Sequence, residues 1–373
     1  MTVPARFRGG TLYDRYAHFR DRIFSSPRFQ RWAAGSWMAR WIARRRSGAL
    51  FDLCAGFVYS QILVAAARLE LFGALASGPR TTDELVEELA VPARRLRTLL
   101  EACAAMRLVE KRGIERWGLG VLGSPLLGNP SVGAMLRHHE LLYRDLADPV
   151  ALLRDPERDT QLGRYWGYAR AERPVELGRA EVAPYSALMA ETQALLAEDI
   201  LDAMGRFRAE AWLDVGGGEG TFLRVVGRRR PDMKLRLLDL PAVVARAQAM
   251  EGPDLEVFGA DMFSASWPPA ELVSLVRILH DHDDEAVQGL LAHAFDQLRP
   301  GTRLVIAEPM TDAPGHPRVG APYFGFYLLA LGQGRPRSSR EIIRMLQGAG
   351  FRAVRSISTK RPLLAQLVQA RRP

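Results

Sequence analysis

Between Ile278 and Glu285 the chain reads ILHDHDDE, two histidines interleaved with acids directly after an apolar run. Imidazole titrates near neutrality, so histidine beside carboxylates suits proton transfer, and paired histidines suit a metal. His280 and His282 are two apart; in a strand they would share a face, whereas in a turn they need not. No third ligand cluster accompanies them, so no metal site is expected. The second chemically loaded stretch is AWLDVGGGEG, in which Gly216, Gly218 and Gly220 form a G-x-G-x-G pattern. Such a loop lets backbone approach a ligand closely at a helix N-terminus. It is neither a P-loop, since no lysine follows, nor a standard dinucleotide fingerprint, since Thr221 stands where a small residue belongs. A tight turn accounts for one glycine but not for four among five consecutive residues. Asp239 ends the next apolar run, where it either accepts hydrogen bonds from two ribose hydroxyls or caps the helix before Pro241.

These residues must be held by what surrounds them. From Ala211 onward the chain alternates strand-like and helix-like segments: AWLDV, TFLRVVGRRR, LRLLDL, LEVFGADMF, VSLVRIL, EAVQGLLAHAFDQL and RLVIAEPM. Alternation of this kind predicts an α/β, doubly wound, Rossmann-like domain with a parallel sheet covered on both faces. Ligands bind such sheets at the carboxyl ends of strands. Asp214 to Gly220, Asp239, Asp261, His280 and Glu308 all fall there.

The N-terminal part has a different grammar. At 373 residues, two domains are expected, one of them small. Residues 49–125 read as helices followed by the hairpin LVEKRGIERWGL turning at Gly113, the outline of a winged helix. Thr81 or Thr82 caps the helix that carries Asp83 and Glu84 in its first turn, and Leu96, Leu99, Leu100 and Cys103 share a face of the next helix. Residues 51–130 hold nine basic and nine acidic side chains. That neutrality argues against nucleic-acid binding and for subunit pairing, with Gly56 to Ala67 as the apolar contact. Residues 126–208 form a helical linker, rich in aromatic residues, that lines a substrate site, and 209–373 form the ligand-binding domain.

The net charge of +9 is concentrated at the start of the chain. Residues 1–50 carry eleven arginines against Asp14 and Asp21, while the rest holds 40 bases and 40 acids. From Ile23 to Arg46 there is no acid, and Trp32, Trp37 and Trp41 alternate with arginines. This basic, aromatic arm, residues 1–48, either packs on a partner subunit or meets an anionic membrane surface through residues 23–46. Cys54 and Cys103 sit in apolar helical stretches and are read as core thiols in a reducing compartment. No uninterrupted apolar run of spanning length and no signal-peptide pattern is evident. A cytoplasmic protein, peripheral on the membrane at most, is expected.

LDVGGGEG, LLDLP, GADMF, ILHDHDDE, AEPM and QGAGF stand in the order found in the S-adenosylmethionine-dependent O-methyltransferases that carry an N-terminal winged-helix dimerisation domain, and residues 49–365 resemble that family. The resemblance implies a homodimer and an S-adenosylmethionine site. Gly216 and Gly218 would flank the methionine end of the cofactor, with Asp214 at the head of the turn. Asp239 would hold the ribose, Asp261 and Met262 would bracket the adenine, and Leu240 and Arg277 would adjoin them. His280 matches the family's base and Glu308 the acid that orients it, with His282 as the alternative or assisting base. Two positions depart from the pattern: His282 replaces the usual tryptophan, and Pro336 stands where a second glutamate flanks the base.

The acceptor-facing segment APYFGFYLLALG is unusually aromatic; Tyr323, Phe324 and Tyr327, with Tyr185 and Met189 upstream, either form an apolar substrate pocket or pack in the core. SPRFQRWAAG, ARRRSGALFDLCAGFVYSQ and SLVRILHDHDDEAV are similar to the carotenoid hydroxyl O-methyltransferases of phototrophic bacteria. That similarity implies a tertiary 1-hydroxyl of hydroxyneurosporene or demethylspheroidene as acceptor. A phenol or polyketide O-methyltransferase, a bacteriochlorophyll-type C-methyltransferase and a cofactor-sensing DNA-binding regulator are the rival readings.

Overall fold

The computed structural model describes residues 11–166, 176, 178–205, 207–315 and 318–373, and these divide into two compact units meeting at Gly128 and Asn129. Residues 1–10 of the arm lie outside the described residues.

The first unit opens with three helices, α1 (Leu12–Phe24), α2 (Pro27–Gly35) and α3 (Arg40–Arg68). Pro27 at the first turn and Gly35 at the last delimit α2, as their backbone preferences dictate. α3 starts nine residues earlier than position 49 and runs unbroken through Gly48. It is mostly exposed, and it is long and apolar enough by length and composition to cross a membrane. Asp52 and Gln61 interrupt its apolar sequence. Cys54 is on its exposed surface, which corrects the core assignment; Cys103 is buried.

α4 (Leu71–Ala74), β1 (Arg80–Thr81), α5 (Thr82–Leu89), α6 (Ala93–Ala105), β2 (Val109–Arg112), β3 (Arg116–Leu119) and α7 (Ser124–Leu127) complete this unit. Thr81 caps α5. Its hydroxyl accepts from the Glu84 N–H at 3.2 Å while the Glu84 carboxylate accepts from the Thr81 N–H at 2.6 Å, a box contributing about 1 kcal/mol. Leu96, Leu100 and Cys103 bury the predicted face of α6 against Leu71, Leu75 and Leu85. The wing is a three-stranded antiparallel sheet in the order β1-β3-β2.

The second unit begins with helices α8 (Pro130–Asp145), α9 (Pro149–Arg154), α10 (Gln161–Tyr165) and α11 (Arg179–Met204). Then follow β4 (Ala211–Val215), α12 (Thr221–Arg229), β5 (Lys234–Asp239), α13 (Pro241–Ala247), β6 (Glu256–Gly259), β7 (Leu272–Val276), α14 (Asp284–Gln297) and β8 (Arg303–Glu308). A π-helical turn at Val319–Phe324 leads into α15 (Gly325–Leu331), α16 (Ser339–Gly348), β9 (Arg352–Ile357) and β10 (Gln366–Arg371). The seven-stranded sheet has the order β6-β5-β4-β7-β8-β10-β9. Its first five strands are parallel, whereas β10 runs antiparallel to both β8 and β9, so the sheet is mixed rather than wholly parallel. Both faces are covered, as alternation along the strands requires. Trp212, Leu237, Leu272 and Val305 enter one core, and Leu213, Leu238, Val273 and Ile306 the other. Strand order reverses at β4, between β5 and β7, which opens a crevice at their carboxyl ends.

Candidate active site

β4 delivers Asp214 and then turns through the glycines. Gly216 takes φ +69°, its N–H donates to the Leu238 carbonyl at 2.8 Å, and a Cβ there would overlap the Ile278 side chain. Only glycine satisfies both the left-handed backbone and the contact. At Gly218 a Cβ would meet nothing within 4 Å, because this side of the turn opens into a cavity. The Asp239 carboxylate, ending β5, accepts from the Gly218 N–H and the Leu240 N–H, each at 2.7 Å. Burial pushes this carboxyl up to about 6 despite the two N–H donors that favour its charge.

β7 stops at Val276, and Arg277 breaks it with φ +61°, a left-handed backbone uncommon outside glycine and concentrated at functional sites. The chain then makes one 3-10 turn, Leu279–Asp281, so the two histidines do not share a strand face. Glu308, at the end of β8, fixes this turn. Its carboxylate accepts from the N–H groups of Ile278 (2.9 Å), Leu279 (2.5 Å) and His280 (3.0 Å), and His280 Nδ1–H donates to Oε2 at 2.9 Å. His280 Nε2 lies 3.1 Å from Asp281 Oδ1 without hydrogen-bond alignment. Burial alone would lower the imidazole's pKa, but the Asp281 and Glu308 carboxylates outweigh it and raise it. Burial pushes Asp281 up to about 7, partly offset by His280. His282 sits edge-on to Phe263 with centroids 5.2 Å apart, and burial, reinforced by His280, lowers it to about 4.

Two residues behind the turn carried no weight in the sequence. Arg337 is buried and donates to the carbonyls of Leu279 (2.6 Å) and His282 (2.8 Å) and to Asp284 Oδ1 (2.7 Å). Gly334, at φ +75°, packs its backbone so closely that a Cβ would overlap the His280 carbonyl oxygen. The signal for them is the motif GQGRPRSSRE itself, in which Gly334 and Arg337 stand on either side of Pro336.

The cavity is lined by Gly216, Gly218, Asp239, Leu240, Asp261, Met262 and Arg277 from the strand ends and by Met189 of α11. Trp166, Ser186, Gln193, Phe263, Asp281, His282 and Gln333, none of which was assigned to the site from sequence, complete most of its wall.

Residues 143–352 match the O-methyltransferase domain family, and residues 51–128 match the O-methyltransferase dimerisation domain. The chain belongs to the O-methyltransferase family. It is similar to the demethylspheroidene O-methyltransferase of Cereibacter sphaeroides, with 38% identity covering 94% of each chain. The enzyme of the same name from Rhodobacter capsulatus is 39% identical over 89% of this chain and 84% of that one. Acetylserotonin O-methyltransferase of Mus musculus is 30% identical over 86% and 87%. In fold, the chain superposes on human N-acetylserotonin methyltransferase in complex with SAM with TM-score 0.72 at 24% identity, over 88% of this chain and 97% of that one.

The methyl donor of this O-methyltransferase is S-adenosylmethionine. The cavity fits it chemically. The open face of Gly218 leaves room against backbone, the Asp239 carboxylate is an acceptor for hydroxyls, and Leu240, Val243, Met262 and Phe263 supply apolar surface for a flat base.

Several residues assigned to the O-methyltransferase site do not line this cavity. Asp214 does not line the cavity: it is enclosed, Oδ1 accepts from Ser274 Oγ at 2.5 Å, and a Cβ at Gly217 would overlap Oδ2, so it supports the turn from beneath. Burial pushes its carboxyl up to about 7, with the Ser274 hydrogen bond opposing the shift. His280 is buried next to the lining residues Asp281 and His282 and is not itself part of the lining. Tyr323 and Tyr327 are turned back onto α8, where Tyr323 Oη meets His139 Nε2 at 2.6 Å and Tyr327 Oη meets His138 Nε2 at 2.8 Å. Phenols buried there need polar partners, which explains why they do not face the cavity. Phe324 lies edge-on to His280 with centroids 6.0 Å apart and is also absent from the cavity lining. The side chain of Tyr185 lies outside the described residues.

Proposed function

We propose that the enzyme methylates the tertiary 1-hydroxyl of an acyclic carotenoid of the hydroxyneurosporene or demethylspheroidene type, with His280 as general base. The observation that carries the acceptor is the similarity, across nearly the whole chain, to two proteins named demethylspheroidene O-methyltransferase. The base assignment rests on the His280–Glu308 pair at 2.9 Å beside the cavity. Bound S-adenosylmethionine supplies an electrophilic methyl group on a sulfonium. Gly216 and Gly218 would give it backbone surface, Asp239 would accept from the ribose hydroxyls, and Asp261, Met262, Leu240 and Arg277 would enclose the remainder.

Glu308 accepts the Nδ1 proton of His280, which leaves the lone pair on Nε2. The acceptor's proton would pass to Nε2 as its oxygen bonds the methyl carbon and the carbon–sulfur pair leaves on the thioether, because an alkyl alcohol is too weak an acid to ionise beforehand. The resulting imidazolium is stabilised by the Glu308 and Asp281 carboxylates that raise its pKa. His282, lowered to about 4, stays neutral at physiological pH and forms cavity wall with Phe263. The enzyme pairs as a homodimer through its dimerisation domain, and the exposed Phe51, Leu53, Phe57 and Val58 of α3 supply the apolar contact. The test is transfer of a labelled methyl group to 1-hydroxylated carotenoid in detergent or vesicles. If a soluble phenol such as N-acetylserotonin is turned over and the carotenoid is not, the acceptor assignment fails.

A further inference from the structure

Trp32, Trp37 and Trp41 are 60%, 81% and 68% exposed, although indole is among the side chains that gain most from leaving water. They stand among Arg28, Arg31, Arg40 and Arg44 to Arg46 in a stretch without one acid from Ile23 to Arg46. This stretch precedes both matched domains, which begin at residues 51 and 143, so the dimerisation domain does not account for it. It is also folded: α2 packs on the start of α3, and the Arg46 guanidinium lies 4.7 Å from the Phe24 ring centre, tying α3 to α1. The Arg45 guanidinium lies 5.6 Å from the Trp41 ring centre.

What covers these indoles must carry negative charge. A second copy's arm is a poor match, because residues 1–50 hold eleven arginines against two acids and would repel their equivalents. Exposed indoles next to arginines match the interfacial zone of a bilayer, where the ring sits among headgroups and the cations face anionic phosphates. We propose that residues 23–46 form a seat for an anionic lipid surface, so that the enzyme works as a peripheral membrane protein. This does not depend on which hydroxyl is methylated.

The test uses the full chain with vesicles of phosphatidylcholine alone or containing about 30% phosphatidylglycerol, at roughly 0.1 M salt. The wild-type protein sediments with the anionic vesicles, and its tryptophan emission shifts to the blue. Replacing Arg44, Arg45 and Arg46 by Gln weakens partitioning by about a hundredfold, since each cation contributes about a factor of five. Replacing Trp32, Trp37 and Trp41 by Ala removes the emission shift and most of the binding. Both variants keep their cofactor affinity and their wild-type mass by light scattering, which shows that they are folded and paired. The proposal is overturned if the wild-type protein ignores anionic vesicles. It is equally overturned if the tryptophan variant loses its dimer while binding vesicles as before, because the indoles would then belong to a subunit contact. Tight binding of duplex DNA without vesicle binding would assign the arm to nucleic acid instead.

Discussion

His280 is held by its neighbours rather than by its own strand. One carboxylate, Glu308, accepts three successive backbone N–H groups and the imidazole Nδ1–H, so turn and imidazole are fixed together. His280→Ala should therefore lower turnover by roughly a hundred- to ten-thousand-fold. Calorimetry should find the cofactor dissociation constant within a few-fold of wild type, because the base acts at the acceptor. Asp239 gives a pH signature. Its carboxyl is raised to about 6, and hydroxyl donors require the ionised form, so cofactor affinity should fall about tenfold per unit below that value. Its contribution to stability without ligand has the opposite sense. A carboxyl raised from 3.8 stabilises the fold below about 4, and that stability is lost as pH rises through about 6. Calorimetric titrations at pH 7.5 and 5, with thermal melts of the ligand-free protein over the same range, check both signs. At this scale the sequence was legible where chemistry demands an unusual residue type in an unusual place. Gly216 and Asp239 at the cavity and the His280–Glu308 contact are of that kind. Asp281 and Gln333 were not, since which flank of a turn meets a cavity is decided by the turn's geometry and not by residue type.

At the scale of elements, the catalytic turn is clamped from the α15–α16 connection. Gly334 touches the His280 carbonyl, and Arg337 holds the carbonyls at both ends of the turn. Gly334→Ala should displace the turn and cost roughly a hundredfold in turnover. Gly301→Ala carries a similar left-handed penalty, φ +86°, with open space around the Cβ, and should leave turnover unchanged. Steady-state kinetics on the pair separates displacement from backbone cost. Arg337→Met should destabilise the protein by about 2–4 kcal/mol in denaturant melts, because two buried carbonyls lose their donor. The parallel strands were legible as apolar runs ending in glycine or acid. β9, largely exposed along RAVRSI, offered no such run, and the antiparallel edge was missed with it. The aromatic segment at 321–332 reads equally as pocket or core because composition cannot distinguish a ring facing a cavity from one facing α8. The histidine partners that decide it are more than 180 residues away in sequence.

For the whole molecule, charge and apolar exposure are distributed unequally. Arginine is concentrated ahead of the dimerisation domain, while exposed Phe51, Leu53, Phe57 and Val58 fall within it. Phe57→Glu should shift the enzyme toward monomer in sedimentation velocity while leaving the vesicle affinity per chain largely intact. The cavity at the ends of β4, β5 and β7 is proposed to hold S-adenosylmethionine for transfer of its methyl group to a lipid-soluble hydroxyl. The most direct test is mass spectrometry of the product formed from methyl-labelled cofactor and 1-hydroxylated acyclic carotenoid by the purified wild-type and His280→Ala proteins. The expected result is a labelled ether at the tertiary oxygen with wild type, and almost none with the variant. A label on carbon, or undiminished ether formation by His280→Ala, would contradict it.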